Sequence, residues 1–173
     1  MDFIDVIRKR HMTRSFKPTP VSEEKLRQIL SIAIRAPSAG HLQPWEFVVV
    51  RNKDTMKKLA RAALDQDFIS EAPVVIVTCS NKQRSASIYG QRGSEFYSVI
   101  DAAYASLMIL FAVTNLNLGA CFVGAFDDEK VSRILNLPPH IRPIGIIPIG
   151  VPNEKGKVMR RIALDDLVHS EKW

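Results

Sequence analysis

The chain has 173 residues, 46% of them hydrophobic and 24% charged, the size and balance of a single globular domain. No apolar run reads as the roughly 18–20 residues of a membrane span, Cys79 and Cys121 sit in apolar strand-like surroundings that argue against a disulfide framework, and the four scattered histidines lack metal-ligand spacing. The net charge of +6 permits nucleic-acid binding, but the basic residues are not interleaved with aromatics, and the early acids Asp2 and Asp5 with no apolar leader core lead to the expectation of a cytoplasmic protein.

Taken in order, Asp2 caps a short helix with Phe3, Ile4 and Ile7 on its apolar side and Arg8, Lys9 and Arg10 near its end, where the helix dipole favours cations. Lys17-Pro18-Thr19-Pro20 is an extended connector. Ser22 caps a second helix whose Leu26, Ile29, Leu30, Ala33 and Ile34 follow helical spacing until Pro37 stops it. Phe47-Val48-Val49-Val50 reads as a buried strand. Asp54 reads as the cap of a third helix with the face Met56, Leu59, Ala60, Ala63 and Leu64. Val74 to Cys79 is a strand buried on both faces. Ser80 to Gly93 is polar and reads as a loop, the one segment available as a lid. A long helix follows from Glu95 to Leu118 with Val99, Ile100, Ala103, Leu107, Met108 and Phe111 inward, ended by Gly119. Cys121 to Phe126 reads as a short strand, Asp127 caps a helix through Val131, Ile134 and Leu135, and Pro143 to Val151 is a strand whose prolines suit an edge or a bulge. The tail from Lys155 is polar except for Ile162, Leu164, Leu167, Val168 and Trp173, which need a cover. Together these elements are α+β, a mixed sheet of about four strands with helices packed on it.

The chemistry-bearing patterns are fewer. No GxGxxG, GxxxxGK[ST] or GxSxG occurs, neither cysteine has a histidine partner, and the acidic pairs Asp127-Asp128 and Asp165-Asp166 read as helix caps. The stretch from Ala36 to Trp45, APSAGHLQPW, is a loop between a helix and a strand, a common place for a ligand site. Two basic clusters, Arg8-Lys9-Arg10-His11 with Arg14 and Lys155, Lys157, Arg160 and Arg161, read either as solvated surface or as two halves of one anion site such as a phosphate.

Three stretches in fixed order, Arg10-His11-Met12-Thr13-Arg14, the loop Ala36–Trp45 and Gly119-Ala120-Cys121-Phe122-Val123-Gly124-Ala125-Phe126, together with the close on Glu171-Lys172-Trp173, resemble the nitroreductase family of FMN-dependent oxidoreductases over essentially the whole chain. The resemblance implies one domain, residues 1–173, with a mixed, largely antiparallel central sheet of about four strands flanked by helices and a C-terminal extension exchanged in a homodimer. It implies bound FMN, with NAD(P)H as hydride donor and a nitroaromatic, a quinone or a similar small molecule as acceptor. A reductive dehalogenase or a flavin-cleaving or flavin-storage protein is the alternative within the same fold, and a basic nucleic-acid-binding module is the alternative outside it. Neither nucleic acid nor membrane is expected as a partner.

Carried onto this chain, the resemblance places Arg10, His11, Met12 through its backbone, Arg14, Arg160 and Arg161 at the FMN phosphate. Pro37, Ser38, Ala39 and His41 fall at the ring and ribityl chain, contributed by the second subunit, and Gln43 bonds either the flavin or the loop backbone. Val123, Gly124 and Ala125 fall against a ring face, with the Gly124 N–H toward flavin N5. No side chain is implied as acid or base, since the flavin carries the chemistry. Met12 stands where the family usually has serine and His41 where it has asparagine. As bare residues, Arg10, Arg14 and Arg160 also read as surface charges and His41 as an exposed loop histidine.

Overall fold

The computed structural model describes residues 1–156 and 159–173; Lys157 of the basic tail cluster lies outside them. Four strands, β1 (Trp45–Val50), β2 (Val74–Asn81), β3 (Gly119–Ala120) and β4 (Ile141–Gly150), form one sheet in the order β1-β2-β4-β3, with every neighbouring pair antiparallel. The parallel element is a single bridge between Met12 and Ala120.

β2 explains the two-layered core. Its β-branched run has no polar face, so alternate side chains are buried on opposite sides of the sheet. Val74 and Ile76 join one cluster with Leu26 and Ile29 of α2 (Glu23–Ala33) and Ile109 and Val113 of α6 (Ser98–Asn115). Val75, Val77 and Cys79 join another with Met56 and Leu59 of α3 (Lys53–Ala62) and Val131 of α7 (Asp128–Leu135). Helix starts follow their caps: Asp2 for α1 (Phe3–Lys9), Ser22 for α2 and Asp127 for α7 each accept a first-turn N–H.

Several local expectations give way to tertiary context. The cap of α3 is Asn52, whose side chain accepts the Thr55 N–H at 2.9 Å, while Asp54 lies inside the first turn. Leu64 follows the end of α3 on left-handed backbone (φ 58°) and points into solvent, ahead of the short α4 (Phe68–Glu71). β4 is an inner strand despite Pro143 and Pro148. Pro143 pairs with Cys79 at a bulge, and the Pro148 carbonyl accepts from Cys121 on the β3 side, so its missing N–H removes no bond to β2. Of the expected strand 121–126, the regular part lies earlier, at Gly119–Ala120, and Val123 reaches β4 through one bridge to Ile146. The left-handed turn after α6 is at Asn117 (φ 55°).

The segment read as a loop from Ser80 to Gly93 is mostly α5 (Lys82–Arg92), capped by Asn81 and joined through a π-helical turn, Gly93–Tyr97, to α6. The helical run from Lys82 to Asn115 is long and apolar enough by composition to pass for a membrane span, but half of its most apolar stretch is buried within the chain, as a core helix requires. The face of α6 also differs from the expected one. Ala102, Ala105, Ser106, Ile109, Ala112 and Val113 face the sheet and α2, whereas Leu107 is exposed and Val99, Ile100 and Phe111 are only half-buried. A helix apolar all round does not disclose which side its own core takes; here the small residues go inward, where close approach needs them. The uncovered side carries Tyr104 and Leu107, and α1 lies beside it with Phe3, Ile4 and Ile7 exposed and the Phe3 ring edge-on to Phe111 at 6.1 Å.

Candidate functional site

Two groups of the expected residues assemble within one chain. The first is a seam between the N-terminal basic segment and the end of β3. Thr13 donates its N–H to the Ala120 carbonyl at 2.9 Å, and the Phe122 N–H donates to Met12 Sδ at 3.3 Å. Met12 thus supplies a thioether acceptor where only a backbone contact was expected of it. The seam continues along the far end of β4: Lys17 donates to the Val151 carbonyl at 2.8 Å and Asn153 to that of Ser15 at 2.9 Å. Residues more than a hundred positions apart therefore form one wall.

Arg10, the C-cap of α1, and Arg14 carry guanidinium groups that make no ion pair or hydrogen bond among the described residues. Arg14 lies over the Phe68 ring, 6.0 Å from its centroid. His11 is less free. Its Nδ1 is 3.0 Å from the Lys9 carbonyl and its Nε2 is 3.3 Å from Thr13 Oγ1, which assigns the proton to Nδ1 when the ring is neutral. The ring shapes the wall and has no spare donor in that state.

Past the seam the chain turns outward. Gly124 and Ala125 are exposed, and the Gly124 N–H has no partner among the described residues. Gln66, which sequence reasoning did not single out, donates its side-chain amide to the Ala63 carbonyl at 2.8 Å and reaches the Ala125 carbonyl at 3.4 Å, fixing this turn. Cys121 lies behind it, its thiol pushed up by burial, partly offset by the Arg14 charge; Cys79 is pushed up to about 12 by burial and by Glu46. Both thiols stay protonated and unreactive, as their surroundings require.

The second group is the loop Ala36–Trp45. It contains three left-handed residues, Gly40 (φ 56°), His41 (57°) and Gln43 (50°), two of them with side chains, a conformation that costs roughly 1–2 kcal/mol each. Added contacts hold it. Ser38 Oγ accepts the Gln43 N–H at 3.0 Å, the Gln43 carbonyl accepts from Arg84 at 2.6 Å, and the Pro44 carbonyl accepts from the Asn81 N–H at 2.6 Å. The Gln43 amide nitrogen lies 2.9 Å from His41 Nε2, pairing the half-buried Gln43 with the exposed His41. Gly40 suits its place: a Cβ there would sit 2.7 Å from the Tyr89 hydroxyl, on backbone at φ 56°. Pro37 and Ala39 complete the loop beside α6. Among the described residues no hydrogen bond joins this group to the Arg10–Ala125 seam. Arg160 and Arg161 join neither group: both are exposed, without an ion pair among the described residues.

The nitroreductase family profile matches residues 7–67 and 61–151, which hold the whole sheet and both groups. The chain belongs to the nitroreductase family. The NADH dehydrogenase of Thermus thermophilus is 32% identical over 187 residues, covering 92% of this chain and 91% of that protein. The FMN reductase [NAD(P)H] of Bacillus subtilis is 26% identical over 173 residues, covering 92% of this chain and 70% of its own. A crystallised nitroreductase family protein from Streptococcus pneumoniae superimposes with a TM-score of 0.89 at 26% identity, over 98% of this chain and 100% of that one.

In this nitroreductase the loop is tied to the core by Asp101, a second residue that sequence reasoning passed over although it is the lone acid in an apolar helix. The residue is 3% exposed, and its carboxylate accepts the Ala39 N–H with both oxygens, at 3.3 and 3.2 Å. Burial raises its pKa above the ordinary 3.8, partly offset by that hydrogen bond. Between the unfolded and the raised folded value the native state binds more protons, so this contribution to stability is present below the unfolded pKa and is lost as pH rises through the folded one. Asp101→Asn, which keeps an oxygen for Ala39, removes that part of the slope. Thermal melts of wild type and variant across the acid range check it: identical slopes would show that Asp101 does not titrate on unfolding.

Proposed function

We propose that this nitroreductase is an oxidoreductase that binds FMN, takes hydride from NAD(P)H and passes it to a small organic acceptor of the nitroaromatic or quinone class. The observation that carries the reading is the seam: two arginines without a partner among the described residues at one end, and exposed small residues with an N–H likewise unpartnered among them at the other, suit a molecule with an anionic tail and a flat head. Bound FMN would supply the reversible two-electron hydride chemistry. Arg10 and Arg14 would hold its phosphate, since guanidinium forks match phosphate oxygens. Val123 and Ala125 would support the ring, and the Gly124 N–H would donate toward the hydride-accepting nitrogen. The FMN reductase relative supports the choice of cofactor.

The remaining half of the site comes, on this reading, from a second copy. The loop Pro37–Gln43 presents His41 and Gln43 outward, and the tail stands bare: Ile162 is 67% exposed, Leu164 73% and Trp173 fully. Each such side chain gains roughly 1.5–3 kcal/mol when buried. A homodimer packed on α1 and the outer side of α6, with the tails exchanged, would cover them and bring Arg160 and Arg161 to a phosphate.

The expected result is a yellow protein that sediments at twice the chain mass. NADPH or NADH bleaches it rapidly without oxygen, and parallel double-reciprocal plots show that both substrates use one position in turn. Colourless protein that takes up no FMN would overturn the reading. Bound flavin that bleaches slowly would transfer it to a specialised flavoprotein of the same fold.

A further inference from the structure

One contact in the seam is used neither by the fold's core nor by the chemistry just proposed. Glu154, at the start of the tail, directs Oε1 onto two successive backbone N–H groups, those of Arg14 and of Ser15, the latter at 3.2 Å. These residues lie 140 and 139 positions away in the chain. The neighbouring backbone groups of the same segment are met by other backbone: the Thr13 N–H by Ala120, the Lys17 N–H by Val151, the Ser15 carbonyl by Asn153. The Arg14 and Ser15 N–H groups have no backbone acceptor among the described residues, so Glu154 closes the ladder where the strand-like pairing fails.

The choice of partner is informative. A carboxylate arriving in a basic segment ordinarily meets a cation, yet Glu154 forms no ion pair with Arg10 or Arg14 among the described residues, and both guanidinium groups stay available. Two residues further on, Gly156 lies so close to the His11 ring that a Cβ would fall 2.7 Å from Nδ1. The first residues of the tail are thereby seated against the Arg10–Arg14 segment.

We propose that Glu154 is a positioning residue for the anionic end of the cofactor. By accepting the Arg14 and Ser15 N–H groups it fixes the backbone from which Arg14 projects and fastens the tail's first residues to that segment. The oxygen lone pairs do this work, and the charge opposes it, because a carboxylate near a phosphate repels it. This inference rests on the FMN reading above.

The test compares FMN with riboflavin, which lacks the phosphate, on Glu154→Ala, Glu154→Gln and wild-type protein, with thermal melts as a check on folding. Glu154→Ala is expected to bind FMN roughly tenfold more weakly while its riboflavin affinity is unchanged. Glu154→Gln, which keeps an acceptor and drops the charge, is expected to bind FMN at least as tightly as wild type. An unchanged FMN affinity in Glu154→Ala, an equal loss for FMN and riboflavin, or a Gln variant as weak as the Ala variant would each overturn the proposal. Wild-type protein that does not prefer FMN to riboflavin would instead overturn the phosphate assignment beneath it.

Discussion

Arg14→Ala is expected to lower FMN affinity by roughly tenfold to a hundredfold with little change in melting temperature. Its guanidinium has no protein partner among the described residues to leave orphaned, only the Phe68 ring at 6.0 Å. Its backbone contacts, the N–H to Glu154 and the segment's bonds to Ala120 and Val151, survive truncation. Loss of a charge-assisted bond to phosphate corresponds to about 1.5–3 kcal/mol, the source of that range. Equilibrium titration with FMN measures it, and riboflavin, whose affinity should not move, is the control. Unchanged cofactor content in the variant would show that Arg14 is an ordinary surface cation.

Gly119→Ala is expected to destabilise the fold. An added Cβ would stand 2.5 Å from Thr13 Oγ1 and 2.8 Å from Thr13 Cβ and Cγ2. Thr13 is fully buried and held by its own N–H to Ala120, so it cannot retreat. Overpacking of this kind costs about 2–3 kcal/mol, a fall in melting temperature of roughly 5–10 °C for a chain of this size. FMN retention should fall with it, because Thr13 Oγ1 also meets His11 Nε2. Gly124→Ala is the contrast: its Cβ would meet only Phe122 Cε1, at 3.3 Å, in an exposed turn, and the melting temperature should stay close to wild type. Calorimetry that finds both alanine variants equally stable would refute the steric argument.

Arg14 could be singled out from the sequence, because the basic cluster from Arg8 to Arg14 is visible in one dimension. The reason Gly119 must be glycine was not, since it depends on Thr13 arriving from across the molecule. Likewise the loop Ala36–Trp45 stands out by its prolines and small residues, but its left-handed His41 and Gln43 and the clamps from Asp101, Arg84 and Asn81 do not. Glu154 gave no signal at all: one acid in a polar tail acquires meaning only when Arg14 and Ser15 are beside it.

The sequence by itself determined the elements whose cause is local: β2 as a doubly buried strand, from its unbroken β-branched run, and the helices begun by Asp2, Ser22 and Asp127, from short polar side chains that reach a first-turn N–H. It also carried the ordered motifs that mark the family. The tertiary structure alone decided the matters that turn on neighbours. Pro148 fits an inner strand because its bare nitrogen faces away from β2. The polar stretch after Asn81 becomes α5, a helix begun by that cap and joined to α6 through a π turn. The apolar α6 gives its small side to the chain's own sheet and leaves Tyr104 and Leu107 uncovered, because spacing fixes only which residues share a face, and packing fixes which face is covered.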